Sequence, residues 1–211
     1  MQENAPAMPS APVGEALAAS FKSTNIWLLG LSLMFMMGGA MLVANFHVGA
    51  LVALKGFEEA YAGTFATILM IGSLLGSIFV PVAAAKTGKN TGVFILIITV
   101  IAGICCIGIT NLSTVGIYAA SFLNGFLRSG TISVCMSLPV MFKEIGPKYA
   151  GTAGGLTVTL ELLGAVIIPT YIIVPLAGAG NFQGYFMYGC ASIIISAVLI
   201  FIVIQKSKAF S

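Results

Sequence analysis

The chain has 211 residues, of which 59% are apolar and only 7% charged, with nine basic residues against six acidic ones. A soluble domain of this length carries about a quarter charged residues, so a water-facing globule is excluded and the outer surface is expected to meet lipid. The net charge of +3 comes with no basic run and no interleaving of basic and aromatic residues, so no nucleic-acid partner is expected.

Residues 1–20 lack the basic start and apolar core of a cleavable signal peptide, and none is expected. Their Pro, Ala and Ser content predicts a flexible tail, with a short interfacial helix over Val13 to Lys22. A helix needs roughly 20 apolar residues to cross the hydrocarbon core. Six stretches meet that need, at about 26–51, 61–84, 92–110, 115–141, 151–175 and 184–204. The connections between them are short. This divides the chain into a cytoplasmic tail or linker (1–24), a six-helix transmembrane bundle (25–205) and a cytoplasmic tail (206–211). The stretches are continuously apolar rather than alternating, which excludes a β-barrel and predicts an all-α membrane protein.

Lysine placement predicts orientation. Lys22, Lys86, Lys89, Lys143, Lys148, Lys206 and Lys208 fall on one side of the spans, and only Lys55, beside Glu58 and Glu59, on the other. Both termini are therefore expected in the cytoplasm, with the protein multi-pass in the cytoplasmic (inner) membrane. Gly72 and Gly76 form one GxxxG, and Gly151 and Gly155 another. Contact with a neighbouring helix of the same chain is the expected use of each, with a dimer interface as the alternative. Pro81, Pro139, Pro169 and Pro175 are expected to kink or end their helices. Cys105, Cys106, Cys135 and Cys190 sit in apolar runs without a CxxC, as small buried residues rather than disulfide or metal ligands.

Only two residues inside the spans carry formal charge: Arg128 in the fourth and Glu161 in the fifth, each about midway along. A mid-membrane charge costs roughly 2.5–3.5 kcal/mol on insertion scales, so each is expected to face the protein interior or a wet cavity. Two readings stand open: the charges pair with each other, or they serve function. Ser121, Asn124, Arg128, Thr131 and Cys135 recur at steps of three and four, on one face of the fourth span. Thr157 lies one turn before Glu161. Arg128, a planar donor fork, is the candidate anion anchor. Glu161, desolvated at the midplane, is the candidate carrier of a coupling proton unless Arg128 stabilises its charged form. Asn124, Asn45 and His47 complete the candidate substrate-binding set. His47, the only histidine, sits near the outer end of the first span, where the choice is between a solvated or hydrogen-bonded group and a gating one. Trp27, at the inner end, suits an interfacial anchor. Enzyme chemistry is not expected: there is no aspartate, and a single histidine excludes HExxH.

Leu138-Pro139 followed by Glu144 to Leu156 (EIGPKYAGTAGGL) resembles the segment that joins the tenth and eleventh helices of major facilitator superfamily transporters. Pro81 to Asn90 (PVAAAKTGKN) resembles that family's cytoplasmic loop motif, with Lys86, Gly88 and Lys89 fitting. Pro81 stands where glycine is usual, and Ala85 replaces the acidic residue on which the motif's charge-to-helix-end latch depends. Residues 10–35 resemble the central cytoplasmic linker running into the seventh helix. The resemblance implies that the six spans are the family's seventh to twelfth helices, with the seventh and tenth lining a cavity, the eighth and eleventh flanking it, and the ninth and twelfth facing lipid. It implies half of a secondary active transporter that moves a small solute, an organic anion by the Arg128 reading, by alternating access. No cofactor is implied. The implied partners are the lipid bilayer, the solute and a second six-helix half, from the same or a different chain. The competing expectations are a six-helix membrane solute-binding subunit of an ATP-driven uptake system and a non-transporting assembly or sensor protein.

Overall fold

The computed structural model describes residues 12–207, 209 and 210; residues 1–11 of the expected N-terminal tail, and Lys208 and Ser211 of the expected C-terminal tail, lie outside them. Every regular element among the described residues is helical. A short helix, α1 (Val13–Lys22), precedes α2 (Thr24–Lys55), α3 (Glu59–Thr87), α4 (Thr91–Asn111) and α5 (Thr114–Met141). Next comes a long broken helix made of α6 (Gly146–Ile167), a π-helical turn (Ile168–Ile173) and α7 (Val174–Ala177), and then α8 (Phe182–Ser207). The short helix expected over Val13 to Lys22 is α1.

Four helical stretches are long and apolar enough to cross a membrane: Thr24–Lys55, Glu59–Asn111, Gly146–Ala177 and Phe182–Ser207. The 53-residue second stretch holds α3 and α4, which are separated by a short 3-10 turn over Gly88–Asn90. With α5 added, there are six long helices among the described residues. α5 has the length but not the mean apolarity, because its polar stripe sits in the middle of the helix.

Apolar surface gains nothing by leaving lipid tails for another helix, so close packing and interhelical hydrogen bonds must hold such a bundle. α3 and α5 approach most closely. A Cβ on Gly72 or Gly76 would run into the backbone carbonyls of Phe122 or Phe126, and one on Gly125 into that of Leu69. The first GxxxG thus packs inside the chain, as expected. The second does not: a Cβ at Gly151, Gly154 or Gly155 meets nothing within 4 Å, so the expectation of an internal contact is wrong there. α6 instead touches α2 further along, where Gly164 lies against the Met34 backbone and Ile168 against Gly38.

Proline acts differently at each position. Pro81 is carried inside α3, which runs on to Thr87, whereas Pro139 lies two residues before the end of α5. Pro169 opens the π-helical turn, where the missing N–H removes one helical bond and the wider turn absorbs the ring.

At the end of the bundle that carries α1, Glu144 of the α5–α6 turn reaches the start of α2. Its Oε1 accepts from Ser23 Oγ at 2.9 Å and from Asn25 Nδ2 at 2.8 Å. Ser23 is also the N-cap of α2, its Oγ accepting from the Ile26 N–H at 3.3 Å. Partial desolvation pushes the Glu144 carboxyl up. Bonds from its own backbone, Ser23 and Asn25, with the charge of Lys206, outweigh that push and hold it below the ordinary value of 4.5. A carboxyl depressed by folding adds stability above its unfolded value and loses it as pH falls through its folded one. Glu144→Gln is therefore expected to melt lower than the parent at pH 7, with the gap closing well below pH 4.5. A gap that persists unchanged at low pH would mean that shape, not charge, holds the contact. The nearby Lys148–Glu15 ion pair, 3.8 Å apart and more than half exposed on both sides, adds little.

Candidate functional site

α5 carries the polar stripe, and its neighbours decide what each residue can do. Ser121 Oγ lies 3.2 Å from Nε2 of His47 on α2. Asn124 donates through Nδ2 to the Ala102 carbonyl at 2.8 Å and to Cys106 Sγ at 3.1 Å, both on α4. Thr131 Oγ1 and Thr99 Oγ1 of α4 are 2.9 Å apart. Asn124 and Thr131 therefore staple α5 to α4, one turn on either side of Arg128, by bonds worth about 0.6–2 kcal/mol each in a membrane. Neither bond was legible beforehand, because Thr99 and Cys106 lie in a run with no polar period.

Arg128 is 9% exposed and Glu161 5%. They stand midway along neighbouring helices, α5 and α6. They do not form an ion pair: among the described residues only Lys148 and Glu15 do. Nε of Arg128 is buried without a partner, and no protein hydrogen bond reaches its guanidinium or the Glu161 carboxylate among the described residues. The reading in which the two charges simply satisfy each other is thus without a bond to support it. Cys135 of α5 is buried, and Thr157, buried one turn from Glu161 on α6, donates to the Gly154 carbonyl at 2.8 Å. Buried donors and acceptors without partners cost about 1–3 kcal/mol each, more when charged. Asn124 Oδ1 and His47 Nδ1 are also unpartnered and buried, so three of the five such atoms among the described residues lie on this stripe or on the histidine bonded to it; Asn25 Oδ1 and Ser196 Oγ lie elsewhere.

His47 is buried, not interfacial and solvated: it is 1% exposed and bonded to Ser121. Asn45 does not join it. Asn45 lies two residues before His47, about 200° round the helix, and is exposed. Lys86, Gly88 and Lys89 lie together at the α3–α4 turn, far along the chain axis from the buried charges. Both lysine side chains are exposed and bonded to nothing among the described residues. Gly88 takes φ +53°, a backbone conformation that favours glycine. Threonines close this turn instead of charges: Thr91 Oγ1 donates to the Gly88 carbonyl at 2.6 Å and lies 2.9 Å from Thr87 Oγ1. The loop tied to a distant helix start is the α5–α6 turn, whose Glu144 accepts from Ser23 and Asn25.

No protein-family model matches the chain, and no curated protein does. The fold is similar to the crystal structure of a bacterial homologue of the human lysosomal transporter Spinster, in an inward-facing and unoccupied conformation. The TM-score is 0.59 at 13% sequence identity. The likeness covers 100% of this chain and 54% of the other, so this chain spans about half the length of that transporter. The six long helices thus take a fold similar to about half of that transporter chain.

Proposed function

We propose that this chain is one half of a secondary active transporter of the major facilitator type, moving a small solute with an anionic group by alternating access. The observation that carries the reading is the pair of buried, unbonded charges at mid-depth, Arg128 on α5 and Glu161 on α6. A structural ion pair would be bonded, and a lipid-facing helix has no use for either charge. Arg128 is the anion anchor, with Asn124 Oδ1 and His47 supplying further polar contacts, and Glu161 carries a coupling proton when the site is empty. Asn45, exposed on α2, is a contact for the solute or for a second half. In this reading six spans cross the cytoplasmic membrane with both termini inside, as the lysine asymmetry favours. Residues 1–24 and 206–211 then form the cytoplasmic tails around the bundle.

A second six-helix half completes the solute site, because the chain matches 54% of its structural neighbour. α6 leaves the room for it. A Cβ on Gly151, Gly154 or Gly155 would meet nothing within 4 Å, and Leu162, Leu163 and Val166 stand exposed. The fold likeness favours this reading over a solute-binding subunit of an ATP-driven system.

Liposomes containing only this chain, preloaded with an unlabelled pool of organic and amino acids, test it. Exchange of labelled solute without ATP is the expected result, and a requirement for an ATPase would overturn it. The native mass in mild detergent decides the partner. A value near twice 21.8 kDa makes the second half another copy, and a monomer that exchanges nothing makes it a different chain.

A further inference from the structure

The site holds one positive and one negative charge, neither of them bonded to another side chain or to backbone among the described residues. Their separation is built into the scaffold. Asn124 and Thr131 pin α5 to α4 on either side of Arg128. Gly164, three residues beyond Glu161, seats α6 on the Met34 backbone of α2. Resting on the transport reading above, we propose that the solute of this site is a small zwitterion, whose carboxylate binds the Arg128 guanidinium and whose ammonium binds the Glu161 carboxylate.

Charge balance excludes a lone anion or a lone cation, and a zwitterion is the class that pairs both charges. A simple anion satisfies Arg128 but brings a second negative charge beside an uncompensated Glu161. A simple cation does the reverse at Arg128. Either leaves a net charge in a medium where an unpaired ion is strongly disfavoured. A zwitterion leaves the site neutral and pairs both groups, using the guanidinium fork for the carboxylate and the carboxylate oxygens for the ammonium N–H donors. A carboxylate that holds the cargo's ammonium when loaded and a proton when empty is compensated in both states. The competing chemistry is an anion accompanied by a proton on Glu161, which is also neutral overall.

The test is thermal stabilisation of the purified chain by L-alanine, β-alanine and 4-aminobutyrate, which carry both charges at increasing separation. Propionate and butyrate lack the ammonium, and ethylamine and propylamine lack the carboxylate. At least one amino acid is expected to stabilise at a concentration about 30-fold or more below that of its deaminated and decarboxylated counterparts. In Glu161→Gln that amino acid falls to the level of its anion. This comparison on the parent protein decides the matter even where a variant fails to fold. Propionate or butyrate matching the amino acids overturns the zwitterion and leaves an anion transporter. No response to any of the compounds also overturns it, while ATP-independent exchange of other solutes in liposomes keeps the transport reading intact.

Discussion

Replacing Arg128 with glutamine is expected to abolish solute binding and to leave the bundle folded. Glutamine keeps the polarity and part of the reach but loses the charge and the planar fork. The lost contact is a desolvated, charge-assisted one, and removing one partner of such a pair costs about 2–5 kcal/mol, or roughly 30- to 5,000-fold in affinity. Folding does not suffer in parallel, because the guanidinium gives up no bond to the protein: its Nε is buried and unpartnered. Removing an unsatisfied mid-membrane charge relieves a cost of about 2.5–3.5 kcal/mol, so the variant is expected to melt at or above the parent temperature. Binding by thermal stabilisation and melting without solute are read on the same sample. Unchanged affinity sinks the anchor role. A collapse in melting temperature without solute would mean that the charge is structural.

Gly76→Leu is expected to have the largest effect on folding. The position faces the Phe126 carbonyl across the α3–α5 contact, and the obstructing atom is backbone that cannot swing aside. Overpacking against flexible side chains costs about 1–3 kcal/mol, and a rigid obstacle places this change at or beyond the upper end. α3 must then tilt or part from α5, and with it go the aromatic contacts at the far end of the pair, where Phe65 stacks on Tyr118 at 4.2 Å. Gly155→Leu is the matched control, since a side chain there enters open space. It is expected to leave the single chain folded and to weaken association with a second half. Monodisperse yield, melting temperature and native mass separate the two variants, and equal behaviour would contradict the close α3–α5 packing.

The sequence by itself determined the six long helices, α1, the short connections and the two mid-span charges. Helical hydrogen bonds run four residues back along the same chain, and a stretch of about 20 apolar residues is long enough to cross lipid. Such local information is written in consecutive residues. It also revealed the face of α5 that holds Ser121, Asn124, Arg128 and Thr131, because the helical period places them in one row.

Tertiary structure alone decided what that face meets. The azimuth and depth of each helix against its neighbours follow from packing, where Gly76 meets Phe126 and Gly164 meets Met34. Those contacts turned Asn124 and Thr131 towards α4, buried His47 against Ser121 and left Asn45 outside. They also left Gly151 and Gly155 without the neighbour that the GxxxG spacing suggested. The bonds from Ser23 and Asn25 to Glu144 span 121 and 119 residues. No local pattern encodes such a pair, because each partner is an ordinary polar residue at a helix end until the fold brings the two ends together.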